Sequence, residues 1–215
     1  RYYQAARKPL ELIETLRYAP QEGFARLELH LARMEASART FAIPFDRSEA
    51  LRALENGVRE VQGALRVRLT VDEAGQFACT VAPLGESAKF WTYAISPRRV
   101  NSADLLLRHK TTWREMYEEE HARLSRETGC DEVVFLNERG ELAEGSRTNI
   151  FVRIDGEMFT PSQSAGLLNG CLRMELMAHG ECKERSLTPS DLEKGEVFLG
   201  NSLRGLIPAQ PTRLA

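Results

Sequence analysis

A lysine close to the middle of the chain, Lys110, has neighbours that could tune its chemistry. It follows the apolar run 105–107 and precedes two threonines. Partial burial disfavours an ammonium group, and a lysine that gives up its proton can act as a base or form an imine with a carbonyl. Because most lysines are solvated surface charges, the significance of Lys110 depends on which other groups could join it.

Four further features could supply a carboxylate and anion-binding groups. Glu144 lies in a run of small residues, where a carboxylate in a loop between strands can reach a ligand. The segment 166–173 runs from a glycine-bearing loop into a predicted helix, whose first N–H groups and dipole favour phosphate. The segment 200–202 offers a hydroxyl and backbone N–H groups, and Arg33 could hold a phosphate with two hydrogen bonds. Each feature alone could equally be an ordinary loop or a solvated arginine.

A lysine, a carboxylate, a helix N-terminus and an arginine together are the groups that pyridoxal phosphate requires. Its aldehyde takes the lysine, its ring nitrogen takes an acidic partner, and its phosphate takes the end of a helix. The sequence therefore favours a site for this cofactor.

The composition limits the alternatives. The chain has 215 residues, of which 42% are hydrophobic and 28% charged, which is typical of a soluble globular protein with one large or two small domains. A net charge of -2 does not indicate a nucleic-acid partner, and the apolar runs are too short for a membrane span. The four cysteines and four histidines lack zinc-site spacing, so we expect no metal. Reduced thiols and no visible secretory leader favour a cytoplasmic protein.

The elements that must position these residues alternate between strands and helices, which predicts two α+β lobes with a cleft between them. We expect a small N-terminal α/β lobe over residues 1–97, a connector over 98–107, and a larger C-terminal lobe over 108–215 that carries the lysine. Strands are predicted over 10–17, 65–71, 76–81, 91–95, 132–136, 148–154 and 197–199. Helices are predicted over 27–41, after Asp46, over 170–178, and after Thr188, which would cap a helix with Pro189 at its first position.

The sequence resembles the class IV aminotransferases, which are fold-type IV pyridoxal-phosphate enzymes, over nearly its whole length. Within them it is most similar to the 4-amino-4-deoxychorismate lyases, in particular the lyase module fused to aminodeoxychorismate synthase. The segments that carry the resemblance are 12–17 (LIETLR), 30–34 (HLARM), 109–114 (HKTTWR), 142–151 (LAEGSRTNIF), 166–173 (GLLNGCLR) and 200–205 (GNSLRG). The resemblance implies the two-lobed α+β fold of the D-amino acid aminotransferase type.

The resemblance also implies roles for individual residues. Lys110 would form the imine with the cofactor, and Glu144 would pair with the pyridine nitrogen. The phosphate would be held by Arg33, the backbone of Cys171 and Leu172, and Asn201 with Ser202. Arg114, Arg204 and Thr15 are candidates for binding substrate carboxylates, although each could equally be a structural ion-pairing or capping residue.

Two features depart from the family pattern. Branched-chain aminotransferases place a tyrosine just after the lysine to hold the phenolic oxygen of the cofactor, whereas this chain has Arg114 and Glu115 there and Tyr117 slightly further on. The usual first strand before the segment 14–17 is mostly lacking. The first departure argues against a branched-chain aminotransferase.

The expected reaction is therefore conversion of 4-amino-4-deoxychorismate to 4-aminobenzoate and pyruvate in folate biosynthesis. The alternative is an aminotransferase that acts on branched-chain or D-amino acids, since both reactions use the same lysine. A further alternative, of another class, is a non-catalytic relative or an assembly subunit, but the presence of both Lys110 and Glu144 argues against it. A homodimer is expected, with aminodeoxychorismate synthase as a possible partner.

Overall fold

The computed structural model describes residues 8–212, which divide into two compact units. The first unit comprises residues up to 84 together with 110–115, and the second comprises 85–109 together with the chain from 116 onward. The expected boundary at residue 97 falls inside a strand, and Lys110 belongs to the first unit rather than to the C-terminal lobe. None of the helices in the described chain is long and apolar enough to cross a membrane.

The first unit is a four-stranded antiparallel sheet in the order β2-β1-β3-β4 with two helices. Its strands are β1 (Glu11–Ala19), β2 (Gly23–Phe24), β3 (Leu65–Asp72) and β4 (Phe77–Pro83), and its helices are α1 (Leu27–Thr40) and α2 (Arg47–Val58). Every second residue of β3 is buried in a core shared with both helices, while the residues between them face away. The expected strands and helices of this region are confirmed, β3 and β4 form an antiparallel pair, and Asp46 caps α2 by accepting from Ser48 N–H at 2.7 Å.

The second unit is built on an eight-stranded mixed sheet in the order β10-β9-β8-β11-β12-β5-β6-β7. Its strands are β5 (Trp91–Val100), β6 (Glu132–Asn137), β7 (Leu142–Gly145), β8 (Asn149–Ile154), β9 (Glu157–Pro161), β10 (Lys183–Arg185), β11 (Glu196–Asn201) and β12 (Gly205–Pro211). Its helices are α3 (Glu115–Thr128), α4 (Cys171–Ala178) and α5 (Pro189–Lys194), with 3₁₀ turns at Leu105–Arg108 and Gln163–Ala165. Every residue of β6 and β7 is buried, so both faces of these two strands are covered.

Several elements differ from the expectation, among them the short strands β2, β7 and β10, which were not predicted. The connector predicted after residue 97 begins as the second half of β5, where Pro97 is tolerated because the pairing with β6 shifts between Ile95 and Arg99. Helix α3 was not predicted, since its buried positions are few and one of them is the charged residue Glu120. Strand β12 was also not predicted; its seven residues include two prolines.

Candidate functional site

The segment that carries Lys110 extends the sheet of the first unit. Ile13 N–H donates to the Lys110 carbonyl and Thr112 N–H donates to the Glu11 carbonyl, both at 2.9 Å, and Leu12 pairs with Thr111. This antiparallel pairing places residue 110 opposite Ile13. Because opposite residues share a face of a sheet, Lys110 lies on the face of Ile13 rather than on the helix-covered face of Leu12.

Thr15 lies on that same face, two residues beyond Ile13 along β1. It pairs with Arg68 of β3, so the predicted substrate residue Thr15 and the lysine share one surface of the first unit. Arg114 follows the lysine segment and donates its backbone N–H to the Thr112 carbonyl at 3.0 Å. The substrate-binding roles of Thr15 and Arg114 stay predictions.

A buried charged cluster lies on the other, helix-covered face of β1. Glu14 accepts from Arg33 Nε at 2.9 Å and Nη2 at 2.6 Å, and His30 Nδ1 lies 2.6 Å from the same carboxylate. Burial alone would raise the pKa of Glu14, but the charge of Arg33 and the hydrogen bonds from His30 and Arg33 outweigh it and hold that pKa at about 2. The guanidinium of Arg33 is therefore oriented by a carboxylate, and its role in phosphate binding stays a prediction.

Glu144, in β7 of the second unit, is buried, and both its carboxylate oxygens are held in place. Oε1 accepts from the Tyr117 hydroxyl at 2.8 Å, and Oε2 accepts from Leu168 N–H at 3.1 Å. Tyr117 packs edge-on against Phe135, with ring centroids 4.8 Å apart, which fixes the position of its hydroxyl. A carboxylate oriented in this way retains acceptor capacity for a protonated ring nitrogen.

The turn that follows Glu144 is organised around a second buried carboxylate, Glu132. It accepts hydrogen bonds from the hydroxyls of Ser146 and Thr148, the latter at 3.0 Å, and from Arg147 N–H at 3.2 Å. A side chain at Gly145 would overlap with Thr148 and crowd Glu132. The hydrogen bonds to Glu132 and the lack of a side chain at Gly145 thus fix the turn between β7 and β8.

The two glycine-bearing segments predicted to bind phosphate lie side by side in the second unit. Helix α4 begins after Gly170 without a side-chain cap, and Leu172 in its first turn packs against Gly200 at the end of β11. An uncapped helix N-terminus suits a phosphate, and a held carboxylate suits the ring nitrogen. The groups of this unit therefore fit pyridoxal phosphate, and binding of its phosphate by the backbone of Cys171 and Leu172 stays a prediction.

The segment after β11 uses its polar side chains to shape a turn. Asn201 Oδ1 accepts from Leu203 N–H at 3.1 Å and Arg204 N–H at 3.0 Å, while Nδ2 donates to the Arg147 carbonyl at 3.1 Å. The neighbouring hydroxyl residue Ser202 is buried. Arg204 Nη1 donates to the Gly85 carbonyl at 2.7 Å, so its guanidinium is held by a loop. The phosphate-binding roles of Asn201 and Ser202 and the substrate-binding role of Arg204 stay predictions.

Several buried residues that orient the predicted site residues are not among the residues predicted from the sequence. Glu14 and Glu132 were missed as buried carboxylates, because neither has a charge pattern in the sequence that distinguishes it from a surface residue. Asn149 and Arg173 lie within the motifs that carry the family resemblance, and both are buried next to the start of α4. Their positions within those motifs were the only available signal.

Comparison with known proteins agrees with this geometry. The family model described as amino-transferase class IV matches residues 11–210. The chain is 37% identical to the crystal structure of a candidate amino-acid aminotransferase from Mesorhizobium loti, covering 94% of this chain and all of that one, with a TM-score of 0.90. It is 28% identical to a candidate aminodeoxychorismate lyase of Schizosaccharomyces pombe, over 87% of this chain and 86% of that protein. It is also 26% identical to a candidate branched-chain-amino-acid aminotransferase of Thermotoga maritima, over 92% of this chain and 75% of that protein.

The match to the family model covers nearly all of the described chain. It confirms the resemblance to this family, the fold-type IV α+β architecture and the cofactor that the sequence motifs indicated. The chain belongs to the class IV aminotransferase family, whose enzymes depend on pyridoxal 5'-phosphate.

Proposed function

We propose that this enzyme is a lyase that converts 4-amino-4-deoxychorismate to 4-aminobenzoate and pyruvate. Relatives named as lyases and as branched-chain aminotransferases both match the chain, so family membership alone does not choose the reaction. The observation that supports the lyase is a group of arginines on the sheet face of the first unit that also carries Lys110, with the acidic pair Glu11 and Asp72 at the end nearer the lysine.

This surface follows from strand register. Thr15 pairs with Arg68, and Arg17 pairs with Arg66, so all three arginines lie on the face of the sheet that carries Lys110. Arg17 lies 3.8 Å from the exposed carboxylate of Glu22. Within residues 8–212, no carboxylate lies within ion-pair distance of Arg66 or Arg68.

Three guanidiniums side by side repel one another and suit an anionic ligand. Aminodeoxychorismate carries two carboxylates, one on the ring and one on the enolpyruvyl group, and arginine binds carboxylates with paired hydrogen bonds. A branched-chain amino acid would bring an apolar side chain to this surface and leave a desolvated guanidinium without a partner. The cationic face therefore favours the dianionic ring substrate.

The residues of the chain would share the work as follows. Lys110 would hold the cofactor, and its amine would remove the proton from the ring carbon that bears the substrate nitrogen. The bound cofactor supplies the electron sink for this step. The carbon–oxygen bond to the enolpyruvyl group breaks, the ring becomes aromatic, and the proton held by Lys110 passes to the departing enolpyruvate, which becomes pyruvate.

The other assigned residues hold the cofactor and substrate. Glu144 keeps the ring nitrogen protonated. The phosphate is bound by Arg33, the backbone of Cys171 and Leu172, and Asn201 with Ser202. Thr15, Arg114 and Arg204 bind substrate carboxylates alongside the arginines of β3.

The second candidate is an aminotransferase that acts on branched-chain or D-amino acids. It is favoured by the 37% identity to the candidate aminotransferase of Mesorhizobium loti. This reaction would use the same lysine but would release a keto acid instead of 4-aminobenzoate, so product analysis separates the two.

The deciding experiment incubates the full chain, loaded with pyridoxal phosphate, with aminodeoxychorismate, and separately with leucine or D-alanine and 2-oxoglutarate. We expect release of 4-aminobenzoate and little keto acid. Borohydride reduction and peptide mapping should place the cofactor on Lys110. Arg66→Met and Arg68→Met should each raise KM for aminodeoxychorismate about tenfold or more without loss of cofactor, since each removes a charged hydrogen-bonding partner.

Arg52→Met is the matched control, because Arg52 is an exposed arginine of the same unit that pairs with Glu49 on α2. Its KM should equal that of the wild type. Faster turnover of leucine or D-alanine than of aminodeoxychorismate would refute the lyase assignment and support the aminotransferase assignment.

We further propose that the enzyme is a cytoplasmic homodimer and that aminodeoxychorismate synthase is its partner. The synthase would make the substrate that this enzyme consumes. The proposal of this partner rests on the resemblance of the sequence motifs to lyase modules fused to that synthase.

A further inference from the structure

We propose that Asn149 is a positioning residue that sets the start of α4 for the phosphate of the cofactor, and that Leu168 ties this setting to Glu144. The inference rests on the proposed role of the α4 N-terminus in phosphate binding. It adds a residue that touches neither cofactor nor substrate and acts through the backbone between 168 and 170.

Both backbone polar groups of Leu168 are held by buried side chains. Its N–H donates to Glu144 Oε2 at 3.1 Å, and its carbonyl accepts from Asn149 Nδ2 at 2.9 Å. Glu144 lies in β7 and Asn149 opens β8, so one loop residue is fixed by two neighbouring strands. A shift of Leu168 would disturb the carboxylate assigned to the ring nitrogen.

The other half of the Asn149 amide occupies the space beside Gly170. A Cβ at Gly170 would overlap with Asn149 Oδ1. Since Asn149 is buried and its Nδ2 is bonded to Leu168, the amide has little room to turn away. Asn149 thus determines how closely Gly170, the residue before the first turn of α4, approaches the sheet.

The residue between these two is anchored from the helix side. Arg173 Nη1 donates to Asn169 Oδ1 at 2.6 Å, and Nη2 donates to the Pro161 carbonyl at 3.0 Å and pairs with Glu184. Residue 168 is therefore fixed by side chains of β7 and β8, residue 170 by the same side chain of β8, and residue 169 by a side chain of α4. The separation between the Glu144 carboxylate and the first N–H groups of α4 is set by this arrangement.

A rigid, phosphorylated ring must contact both ends of that separation at once. Loss of the Asn149 amide removes a buried hydrogen bond and a packing contact, so the loop relaxes and the phosphate end loses its fit. The expected signature is loss of phosphate recognition in particular, rather than loss of all ring binding.

The test compares pyridoxal 5'-phosphate with pyridoxal, which lacks the phosphate, as ligands of the full chain freed of cofactor. Equilibrium dialysis gives the two dissociation constants. The dissociation constant of pyridoxal divided by that of pyridoxal 5'-phosphate reports how much the phosphate contributes to binding. In Asn149→Ala this ratio should fall about tenfold relative to the wild type, the scale of one buried hydrogen bond to a binding loop. Gly170→Ala should act in the same direction, because its Cβ pushes against Asn149.

The double variant tests the geometry. With the Asn149 side chain removed, a Cβ at Gly170 no longer meets Oδ1. The ratio of dissociation constants in Asn149→Ala/Gly170→Ala should therefore be no lower than in Asn149→Ala. Ser96→Ala is the matched control, because it removes another buried side-chain hydrogen bond of the same unit, Ser96 Oγ to Glu120 at 2.7 Å, away from this loop. Its dissociation-constant ratio should equal that of the wild type.

Outcomes separate the inference from the function on which it rests. A wild-type ratio near one would refute phosphate binding at α4, and the inference with it. A normal wild-type ratio that is unchanged in Asn149→Ala, with only a lowered unfolding temperature, would leave the cofactor assignment intact and reduce Asn149 to a structural residue. Should Asn149→Ala not fold, an unchanged ratio in Gly170→Ala overturns the proposal and a lowered one supports it.

Discussion

Glu14 keeps its negative charge in a buried position because two partners stabilise it. The carboxylate is 1% exposed and is bonded to Arg33 and His30. Its pKa of about 2 lies below the usual value of 4.5, so the ionised form is favoured in the folded protein. Such a shift corresponds to roughly 3 kcal/mol of pH-dependent stability.

The sign of this dependence is fixed by the direction of the shift. A carboxylate whose folded pKa is lowered stabilises the fold above its unfolded pKa, and this stabilisation is lost as the pH falls from about 4.5 to about 2. Glu14→Gln should lower the free energy of unfolding at pH 7 by roughly 3 kcal/mol or more, because Arg33 loses its buried partner. The difference from the wild type should shrink as the pH falls toward 2, measured by urea unfolding at several pH values.

Glu138→Gln is the control for this prediction. The pKa of Glu138 is also lowered to about 2, by hydrogen bonds from the Ser102 side chain and backbone, but the group is exposed. Solvent screening should make its effect on stability much smaller. Equal effects in the two variants would mean that burial of the Glu14 cluster contributes nothing.

For single residues, the sequence indicates which residue types suit the cofactor but not which groups hydrogen-bond to them. Lys110 and Glu144 are predicted to bind the cofactor because lysine and glutamate in those surroundings suit it, and their roles stay predictions. Arg204 was predicted to face substrate, yet its guanidinium is bonded to the Gly85 carbonyl, more than a hundred residues away in the chain. No spacing rule predicts a contact over that separation, because the fold alone brings the two residues together.

The strand segment 110–112 depends on one side chain for much of its attachment to β1. Thr112 Oγ1 donates to the Pro9 carbonyl at 2.9 Å and accepts from Glu11 N–H at 3.0 Å. Thr112→Val keeps the shape and removes both bonds. We expect a loss of about 1–3 kcal/mol in the free energy of unfolding and slower attachment of the cofactor to Lys110, measured by urea unfolding and by the rise of cofactor absorbance.

Thr40→Val is the matched control for that variant. Thr40 Oγ1 bonds to the Ala36 carbonyl within α1 of the same unit, on an exposed turn. Its attachment rate should be that of the wild type. A Thr112→Val enzyme that is destabilised but acquires cofactor at the normal rate would show that cofactor attachment to Lys110 does not depend on the Thr112 hydrogen bonds.

Elements with a strong local pattern were predictable, whereas those fixed by distant pairing were not. Asp155 and Gly156, an Asp-Gly pair typical of tight hairpin turns, join β8 to β9 with both residues at positive φ. The second half of β5 was read as connector because arginines and a proline dominate it. Its pairing with β6 and β12 is parallel and joins segments that are far apart in the chain, which no local pattern reveals.

For the whole molecule, we expect a twofold homodimer. The expectation comes from the family resemblance and from the prevalence of twofold symmetry among oligomers. Light scattering at micromolar concentration should give twice the mass of the chain. A fully active monomer under those conditions would contradict it.

The first unit is discontinuous in the chain, and this has a consequence for biosynthesis. The residues that pair with β1 at Leu12 are made only after 85–109, a stretch that includes β5 of the second unit. On the ribosome, β5 therefore emerges before its partners β6 and β12, with both edges open to unwanted pairing. A gene fragment that stops at residue 97 would retain this open strand and lack the lysine segment. To produce the first unit alone, residues 85–109 would have to be replaced by a short linker that joins residue 84 to residues 110–115.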